Sequence, residues 1–401
     1  MCDNAGSGPG SAGYEFLGGE SMPRARFGRL FSLILVAMTV ALSACGPSGA
    51  GAPSAAGGGE LRVAIAGPFS GDAAQYGQDF LRGATLAADA LNAAGGVGGK
   101  RITLQQFDDR NDTTEAANVA QKIASDSTIV ASMGHFTSST VYASMPIYKA
   151  NQIPLVVISA SDPKITQQNN EWVFRVSPTN NLGAEAMADL IVKQLGLKTL
   201  ASFYLNTDYG KSEHGYWMDQ VAKDGGTAVL EEGYQPDAKD FTSSIIKLKS
   251  SGADGVYLSS YYNDAALLIK QAKAAGVDQK WFVSGAVISP QFPEVGGSAV
   301  EGVLTDRIAQ GPAWDELAAT YKQKYNQDAS PFVIYAYSAM QSIGEAARSG
   351  STRQGLRDSL TRMKDFQTPL GAISFDANRQ VVYSHFDYLV VRGGTFQAWQ
   401  P

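Results

Sequence analysis

The chain has 401 residues, of which 44% are hydrophobic and 17% charged. That is long enough for two domains of ordinary size and too apolar for wholesale disorder, so a packed core is expected. The formal net charge of −6 argues against nucleic acid as a partner, since phosphate binding requires a basic face.

The N-terminal segment has the features of an export signal. Three arginines at 24–29 precede an apolar run at 30–42, which is shorter than the roughly 20 residues that a transmembrane helix needs. Leu-Ser-Ala-Cys at 42–45 resembles the bacterial lipobox, which implies cleavage before Cys45 and a diacylglyceryl group on its sulfur. The alternative is an ordinary signal peptide followed by an incidental cysteine.

We interpret residues 1–44 as a mis-called start followed by a lipoprotein signal peptide, because Met22 opens a more typical signal than Met1 does. Cleavage would leave Cys45 as the only cysteine, so thiol catalysis and a disulfide within the chain are not expected. Residues 45–59 are rich in Gly, Ala, Ser and Pro and predict a flexible linker. The expected location is the periplasmic or cell-surface side of a bacterial membrane, with the lipid as the only attachment.

From residue 61 onward the chain predicts strands that alternate with helices. The first array has strands at 61–66, 102–107, 129–133 and 154–158 and helices near 80–91, 114–125 and 138–150. The second array has strands near 199–205, 228–234, 255–259 and 281–284 and helices near 209–224, 241–250 and 264–275. Later come a crossing near 302–308, helices near 313–325, 332–348 and 353–363, and a hairpin-like pair at 373–375 and 386–391. This alternation predicts parallel sheets, and two consecutive arrays predict two lobes.

Hydroxyl side chains follow two of the predicted strands. In parallel sheets, ligands bind beyond the carboxyl ends of strands, where helices begin with free N–H groups. The segment 134–140, Gly-His-Phe-Thr-Ser-Ser-Thr, lies at such a point, so Ser138 and Ser139 could help to seat a carboxylate. Ser159 and Ser161 follow the next strand. In both places, simple capping of a helix is the alternative interpretation.

Tyrosines follow several predicted strands and lie in loops rather than on a periodic core face. They are Tyr76, Tyr209, Tyr261 and Tyr262. Rings in such positions can wall an apolar pocket while their hydroxyl groups remain available for hydrogen bonds. Ordinary packing is the alternative for each of them.

Enzymatic chemistry is not predicted. The three histidines lie on different predicted elements without metal-ligand spacing, and no nucleophile-elbow motif occurs. His135 is interpreted as a structural loop residue rather than as a base. The sequence therefore predicts no cofactor and no metal site.

From residue 61 nearly to the C-terminus, the chain resembles the periplasmic leucine/isoleucine/valine-binding proteins. The matching stretches are GPFSGDAAQYG (67–77), LNAAGGVGGK (91–100), DDRNDTTEAANVAQKI (108–123), GHFTSST (134–140), NTDYGKS (206–212), DFTSSIIKLKSSGADGVYL (240–258) and YAYSAM (335–340). The resemblance implies an α/β fold of two Rossmann-like lobes with parallel central sheets, joined by a three-crossover hinge: the type I periplasmic binding protein fold. Lobe I is expected at 60–179 and 307–383, and lobe II at 180–306 and 384–401.

The resemblance also implies a function and a site. The protein would capture a small carboxylate-bearing ligand, a branched-chain or other hydrophobic amino acid, in the cleft between the lobes outside the cytoplasm. It would act as a monomer and deliver this ligand to the permease of an ABC importer. Ser138 and Ser161 would bind the ligand's carboxylate, while the Ser159 carbonyl and the Ser161 hydroxyl would contact its ammonium group. Aromatic residues would wall the side-chain pocket, namely Tyr76, Phe136, Tyr209, Tyr262 and Phe332.

One position departs from the family's pattern. Amino-acid binders of this family carry an acidic residue after the strand at 281–284, where this chain has Gly285 and Ala286. Burying an ammonium group without a counter-charge is costly. Either another acid supplies the charge, with Asp264 as the candidate, or the ligand is a keto acid, an aromatic acid or an amide. A role as a ligand sensor, with the same fold, is a further alternative.

Overall fold

The computed structural model describes residues 59–400, which form an α/β fold with two lobes. The predicted export signal, Cys45 and nearly all of the predicted linker lie outside the described residues. Between residues 59 and 400, no helix is both long enough and apolar enough to cross a membrane.

Lobe I begins with alternating strands and helices that form one parallel sheet. Its strands are β1 (Glu60–Gly67), β2 (Arg101–Asp108), β3 (Ile129–Met133), β4 (Leu155–Val157) and β5 (Val173–Arg175), in the order β2-β1-β3-β4-β5. The first four strands are connected by helices α1 (Ala74–Ala93), α2 (Thr113–Ser125) and α3 (Ser138–Ala150). In the inner strand β1, Val63, Ala64 and Ile65 are fully buried, because helices cover both faces of a parallel sheet.

Lobe II repeats the pattern. Its first strands are β6 (Thr199–Leu205), β7 (Thr227–Tyr234), β8 (Gly255–Ser259), β9 (Lys280–Val283) and β10 (Leu304–Ile308), all parallel. Its helices are α4 (Asn180–Asp189), α5 (Asp208–Lys223), α6 (Thr242–Ser250), α7 (Tyr262–Ala274) and α8 (Gln291–Gly296). Helices α5 and α7 each begin directly after a strand, so their N-termini lie at the carboxyl edge of the sheet.

After β10 the chain returns to lobe I. It forms helices α9 (Pro312–Tyr325), α10 (Pro331–Arg348) and α11 (Arg353–Arg362), then a short antiparallel pair, β11 (Phe366–Thr368) and β12 (Gly371–Ile373). Helix α10 packs along α1 and contributes many of the buried side chains of the lobe. This packing places Phe332, near the start of α10, close to Tyr76 of α1.

A last crossing adds two antiparallel strands to lobe II, β13 (Phe386–Arg392) and β14 (Thr395–Trp399). The sheet order of lobe II is β14-β13-β10-β9-β8-β6-β7. Three segments therefore join the lobes, at 176–179, 309–311 and 382–385.

The predicted fold class, two lobes with parallel central sheets and three crossings, is confirmed. The expected change of lobe at 306/307 falls inside β10, which pairs with β13 through Ile308.

The hairpin predicted from 373–375 and 386–391 is wrong. The chain leaves lobe I between these segments, so 386–391 becomes β13 and lies between β10 and β14. Ile373 instead pairs with Phe366 across the short turn between β11 and β12. Strand β5 was not predicted, because three residues are too few to show a periodic pattern.

Candidate ligand-binding site

The two lobes contact each other directly across the cleft, and Tyr76 is central to this contact. Tyr76 lies on α1 of lobe I, and its hydroxyl donates to the Ala286 carbonyl of lobe II at 2.9 Å. The same oxygen accepts from the Tyr262 N–H at 3.2 Å. In return, the Tyr262 hydroxyl donates to the Asp72 carbonyl of lobe I at 2.9 Å. These bonds join the start of α1 to the start of α7 and to the segment after β9, so they depend on how the lobes are placed relative to each other.

Two cavities lie in this cleft, and we call them the inner and the outer cavity. The inner cavity has a volume of about 90 Å³; its wall includes Ser159, Ser161, Phe332 and Tyr335 of lobe I, Tyr209, Glu213, Gly285, Ala286, Asp306 and Arg307 of lobe II, and the crossing residues Ser177, Pro178 and Thr179. The outer cavity has a volume of about 410 Å³; its wall includes Asp72, Tyr76, Thr137, Ser139, Asp208, Tyr261, Tyr262 and Asp264. Predicted site residues therefore line both cavities.

An aromatic cluster connects the two cavities. It consists of Tyr76, Phe136, Tyr209, Tyr261, Tyr262 and Phe332. The Tyr76 and Phe136 rings stack with their centroids 4.1 Å apart, and Tyr209 stacks on Tyr261 at 5.0 Å. Because Tyr76 and Phe136 belong to lobe I and the tyrosines at 209 and 261 to lobe II, rings of both lobes pack on one another. All five rings predicted as pocket walls belong to this cluster.

The N-terminus of α3 has a complete cap. The Thr137 side chain accepts from the Thr140 N–H, and the Thr140 hydroxyl accepts from the Thr137 N–H at 3.1 Å. Ser138 is fully buried, and its Oγ accepts from the Asp162 N–H at 3.3 Å. Ser139 donates to Asp208 of lobe II at 2.7 Å. Ser138 thus lies beneath the cleft surface and lines neither cavity, while its role in carboxylate binding stays a prediction.

The loop between β4 and β5 carries the second pair of predicted serines to the inner cavity. The Ser159 hydroxyl donates to the Phe136 carbonyl at 2.7 Å, which ties this loop to the segment before α3. Beneath the loop, Arg175 Nη1 donates to the carbonyls of Ala160 at 3.1 Å and Asp162 at 2.6 Å. Arg175 is fully buried, and burial lowers its pKa to about 10. Sequence reasoning missed this arginine, which holds the loop in place.

Two buried acids in the wall of the inner cavity were also missed. Glu213 lies on α5 one turn after Tyr209, and its Oε1 accepts from the Tyr257 hydroxyl at 2.6 Å. Asp306 lies on β10, and its Oδ1 accepts from the Gly285 N–H at 3.0 Å. Burial, reinforced by the charge of Asp306, raises the pKa of Glu213 to about 8, and burial raises the pKa of Asp306 to about 6.

Asp264, the acid considered for the ammonium group, lies elsewhere in the cleft. It lines the outer cavity at the start of α7, together with Asp72. Burial raises the pKa of Asp264 to about 7; Lys239 lowers it and Asp72 raises it further. At the family's usual acidic position, the Ala286 carbonyl accepts the hydrogen bond from Tyr76.

His135 is enclosed in the interior of lobe I. Its Nδ1 lies 2.6 Å from Asp109 Oδ2 and its Nε2 lies 3.1 Å from the Tyr148 hydroxyl, with all three side chains buried. This environment agrees with a structural role beneath the cleft. Within the described range of the chain, no three His, Cys, Asp or Glu side chains are grouped so that they could hold a metal ion.

Sequence relatives cover most of the described chain. A family model described as "Periplasmic binding protein" matches residues 60–394. The chain is 29% identical over 334 residues to the leucine-, isoleucine-, valine-, threonine- and alanine-binding protein of Pseudomonas aeruginosa, a match that covers 82% of this chain and 89% of that protein. It is 27% identical over 321 residues to a Leu/Ile/Val-binding protein of Citrobacter freundii, covering 79% and 87%.

Solved structures share the architecture. A leucine-binding protein of Thermotoga maritima matches with a TM-score of 0.79 at 24% identity, covering 85% of this chain and 98% of that one. A solute-binding protein of R. palustris, in complex with benzoate, matches with a TM-score of 0.78 at 21% identity, covering 85% and 95%. At these identities the likeness establishes the fold alone, and it confirms the predicted type I architecture.

Proposed function

Because the chain belongs to the periplasmic binding protein family, we propose that it captures a branched-chain or other hydrophobic amino acid between its two lobes. The inner cavity is the observation that carries this proposal. Lobe I contributes hydroxyl groups at Ser159 and Ser161, and lobe II contributes the Tyr209 ring. A small molecule that has both a polar head and an apolar side chain would satisfy such a wall.

The mechanism is capture without chemical change. The carboxylate would bind at the Ser161 hydroxyl group in the wall of the inner cavity, while the aromatic cluster encloses the side chain. Contacts between the lobes, such as that of Tyr76 with Ala286, would form as the cleft closes. A ligand that touches both lobes binds the closed form more tightly, so it shifts the population towards closure.

The name of one relative supports the proposed class of ligand. The Pseudomonas aeruginosa relative is named for binding leucine, isoleucine, valine, threonine and alanine, which favours an aliphatic amino acid here.

We propose that the closed form docks on the permease subunits of an ABC importer. A lipid on Cys45 would keep the protein at the membrane, and incorporation of labelled palmitate that disappears in Cys45→Ser would support this attachment.

Calorimetric titration tests the proposal directly. The purified protein should bind L-leucine or a similar amino acid, and binding should raise the melting temperature. Ser161→Ala removes a hydroxyl from the wall of the inner cavity and should weaken the interaction roughly tenfold or more, because hydrogen bonds to charged groups contribute about 1.5–3 kcal/mol. The control is Ser144→Ala, which removes a fully buried hydroxyl from α3 of the same lobe, one bonded to the Val141 carbonyl within the helix.

Three results would contradict the proposal. The first is that no aliphatic amino acid binds the wild-type protein. The second is equal binding by Ser161→Ala and the wild type, which would place the carboxylate elsewhere. The third is the release of a chemically altered product during titration, since a binding protein returns its ligand unchanged.

A further inference from the structure

Within the described part of the chain, the two carboxylates in the wall of the inner cavity have no cationic partner. Glu213 is 4% exposed and Asp306 is 5% exposed, so water solvates neither of them well. Among residues 59–400, no lysine, arginine or histidine forms an ion pair with either acid. Arg307 lines the same cavity, but its nearest carboxylate is Asp387, at 3.9 Å. Buried carboxylates without a counter-charge are costly to the folded protein, which calls for an explanation of their presence.

The position of Asp306 depends on two glycines. A Cβ atom added to Gly183 of α4 would lie 2.5 Å from Asp306 Oδ2, and one added to Gly285 would lie 2.5 Å from the Asp306 carbonyl oxygen. Both glycines line the inner cavity. The Gly285 N–H also holds Oδ1, so the backbone fixes one carboxylate oxygen of Asp306. Within the described chain, Oδ2 of Asp306 receives no hydrogen bond and remains available.

Ser177, on the first crossing, provides a second and independent observation. Its side chain is 1% exposed and lines the inner cavity. Its Oγ has no hydrogen-bond partner in the part of the chain that the structure describes. Most buried hydroxyl groups in proteins are bonded, so this hydroxyl in the cavity wall is free to bond to a ligand atom.

We infer that Glu213 and Asp306 bind the ammonium group of the ligand, with Ser177 completing the polar wall, so that the ligand is an α-amino acid and not a keto or aromatic acid. This inference rests on the proposed function. An ammonium group carries a full positive charge and three N–H donors, which suits two carboxylates and a hydroxyl oxygen. Charge compensation would thus come from α5 and β10, in place of the residue that the family has at Ala286.

This inference predicts the direction in which the affinity for the ligand changes with pH. With its pKa raised to about 8, the Glu213 carboxyl is mostly protonated at pH 7 before the ligand binds. A bound ammonium favours the ionised carboxylate, so binding releases a proton and affinity rises with pH between about 6 and 8. A ligand that carries only a carboxylate has the opposite preference. The titratable and charged groups around the two acids are Tyr209 on α5, Tyr257 on β8, Tyr261 before α7, Arg307 on β10, Tyr335 on α10 and Tyr388 on β13.

Three matched probes test the contribution of each charged group of the ligand to binding. L-leucine has a carboxylate and an ammonium group, α-ketoisocaproate lacks the ammonium, and isoamylamine lacks the carboxylate. Calorimetry of the purified protein at pH 6, 7 and 8, in buffers with different ionisation enthalpies, gives affinity and proton release together. We expect leucine to bind far more tightly than the keto acid, with an affinity that rises by up to about tenfold per pH unit.

Substitutions of the two acids test whether they are responsible for leucine affinity and for proton release. Glu213→Gln keeps the shape of the side chain and can still accept from the Tyr257 hydroxyl. It should weaken leucine binding by roughly 30-fold or more and sharply reduce proton release at pH 7 and 8. Asp306→Asn should also weaken leucine binding. The control is Asp219→Asn, which removes an exposed carboxylate from the same helix α5 and should change neither quantity.

The outcomes are distinguishable. If none of these probes and no other aliphatic amino acid binds the wild-type protein, the proposed function fails, and this inference fails with it. If leucine binds but Glu213→Gln retains wild-type affinity and proton release, the function stands and the assignment of the ammonium site is overturned. Keto acid binding as tight as that of leucine would overturn it as well.

Discussion

The hydroxyl group of Tyr76 should control closure of the cleft. It forms two hydrogen bonds between the lobes, to the Ala286 carbonyl at 2.9 Å and from the Tyr262 N–H at 3.2 Å. Tyr76→Phe removes both bonds and keeps the ring, which stacks on Phe136 at 4.1 Å. Each bond contributes about 0.5–1.5 kcal/mol, so the closed form should lose about 1–3 kcal/mol relative to the open form.

This loss translates into affinity because the ligand binds the closed form. If closure occurs with binding, a change of about 1–3 kcal/mol weakens L-leucine by roughly 5- to 150-fold. Calorimetry measures the affinity, and small-angle X-ray scattering measures whether the ligand-saturated variant has a larger radius of gyration than the wild type.

The control is Tyr388→Phe. The Tyr388 hydroxyl also donates to a backbone carbonyl, that of Ala186 at 3.0 Å, but both residues belong to lobe II. Its removal should lower stability slightly and leave affinity unchanged. Wild-type affinity and compaction in Tyr76→Phe would refute the reasoning, because the contacts between the lobes would then contribute nothing to closure.

Three further outcomes are expected at the inner cavity and at the loop that carries Ser159 and Ser161 to it. Gly183→Ala should weaken leucine binding by roughly 5- to 150-fold, as expected for an overpacking cost of about 1–3 kcal/mol against Asp306. Gly215→Ala on α5 should bind leucine normally, because a Cβ there meets no atom of the described chain within 4 Å. Arg175→Met should lower the free energy of unfolding by about 3 kcal/mol in urea titrations, since the loop above it loses two charged hydrogen bonds. Without ligand, Glu213 should make stability fall as pH rises from about 4.5 to 8, by up to roughly 5 kcal/mol, because it retains its proton only in the folded chain. Burial also raises the pKa values of Asp79, Asp264 and Asp306, which act in the same direction, so Glu213→Gln should reduce this slope in denaturant titrations without abolishing it.

Local patterns were sufficient for most of the secondary structure. The strand at 129–133 and the helix at 138–150 have the predicted ends, because the strand is a short apolar run and a Thr cap marks the start of the helix. The ring cluster was also predictable, since four of its tyrosines follow strand ends, and strand ends of parallel sheets face the cleft.

The sequence alone does not reveal that Glu213 and Asp306 form one site, and the reason is physical. Glu213 follows Tyr209 by four residues on one helix, so both side chains lie on the same face, and this spacing was a usable signal. Asp306 is a charged residue within a buried strand, which is also unusual. Neither signal indicates that the two carboxylates share one cavity, because the strands between them must first pair.

The sequence by itself determined the order of strands and helices, the two lobes and the family, since these depend on local periodicity and on motifs that recur in order. Only the tertiary structure decided which polar groups meet in the cleft. Glu213, Asp306 and Ser177 belong to a helix, a strand and a crossing that are far apart in the chain. They come together only after two sheets form and three crossings set one lobe against the other, because burial and charge compensation depend on distances in space.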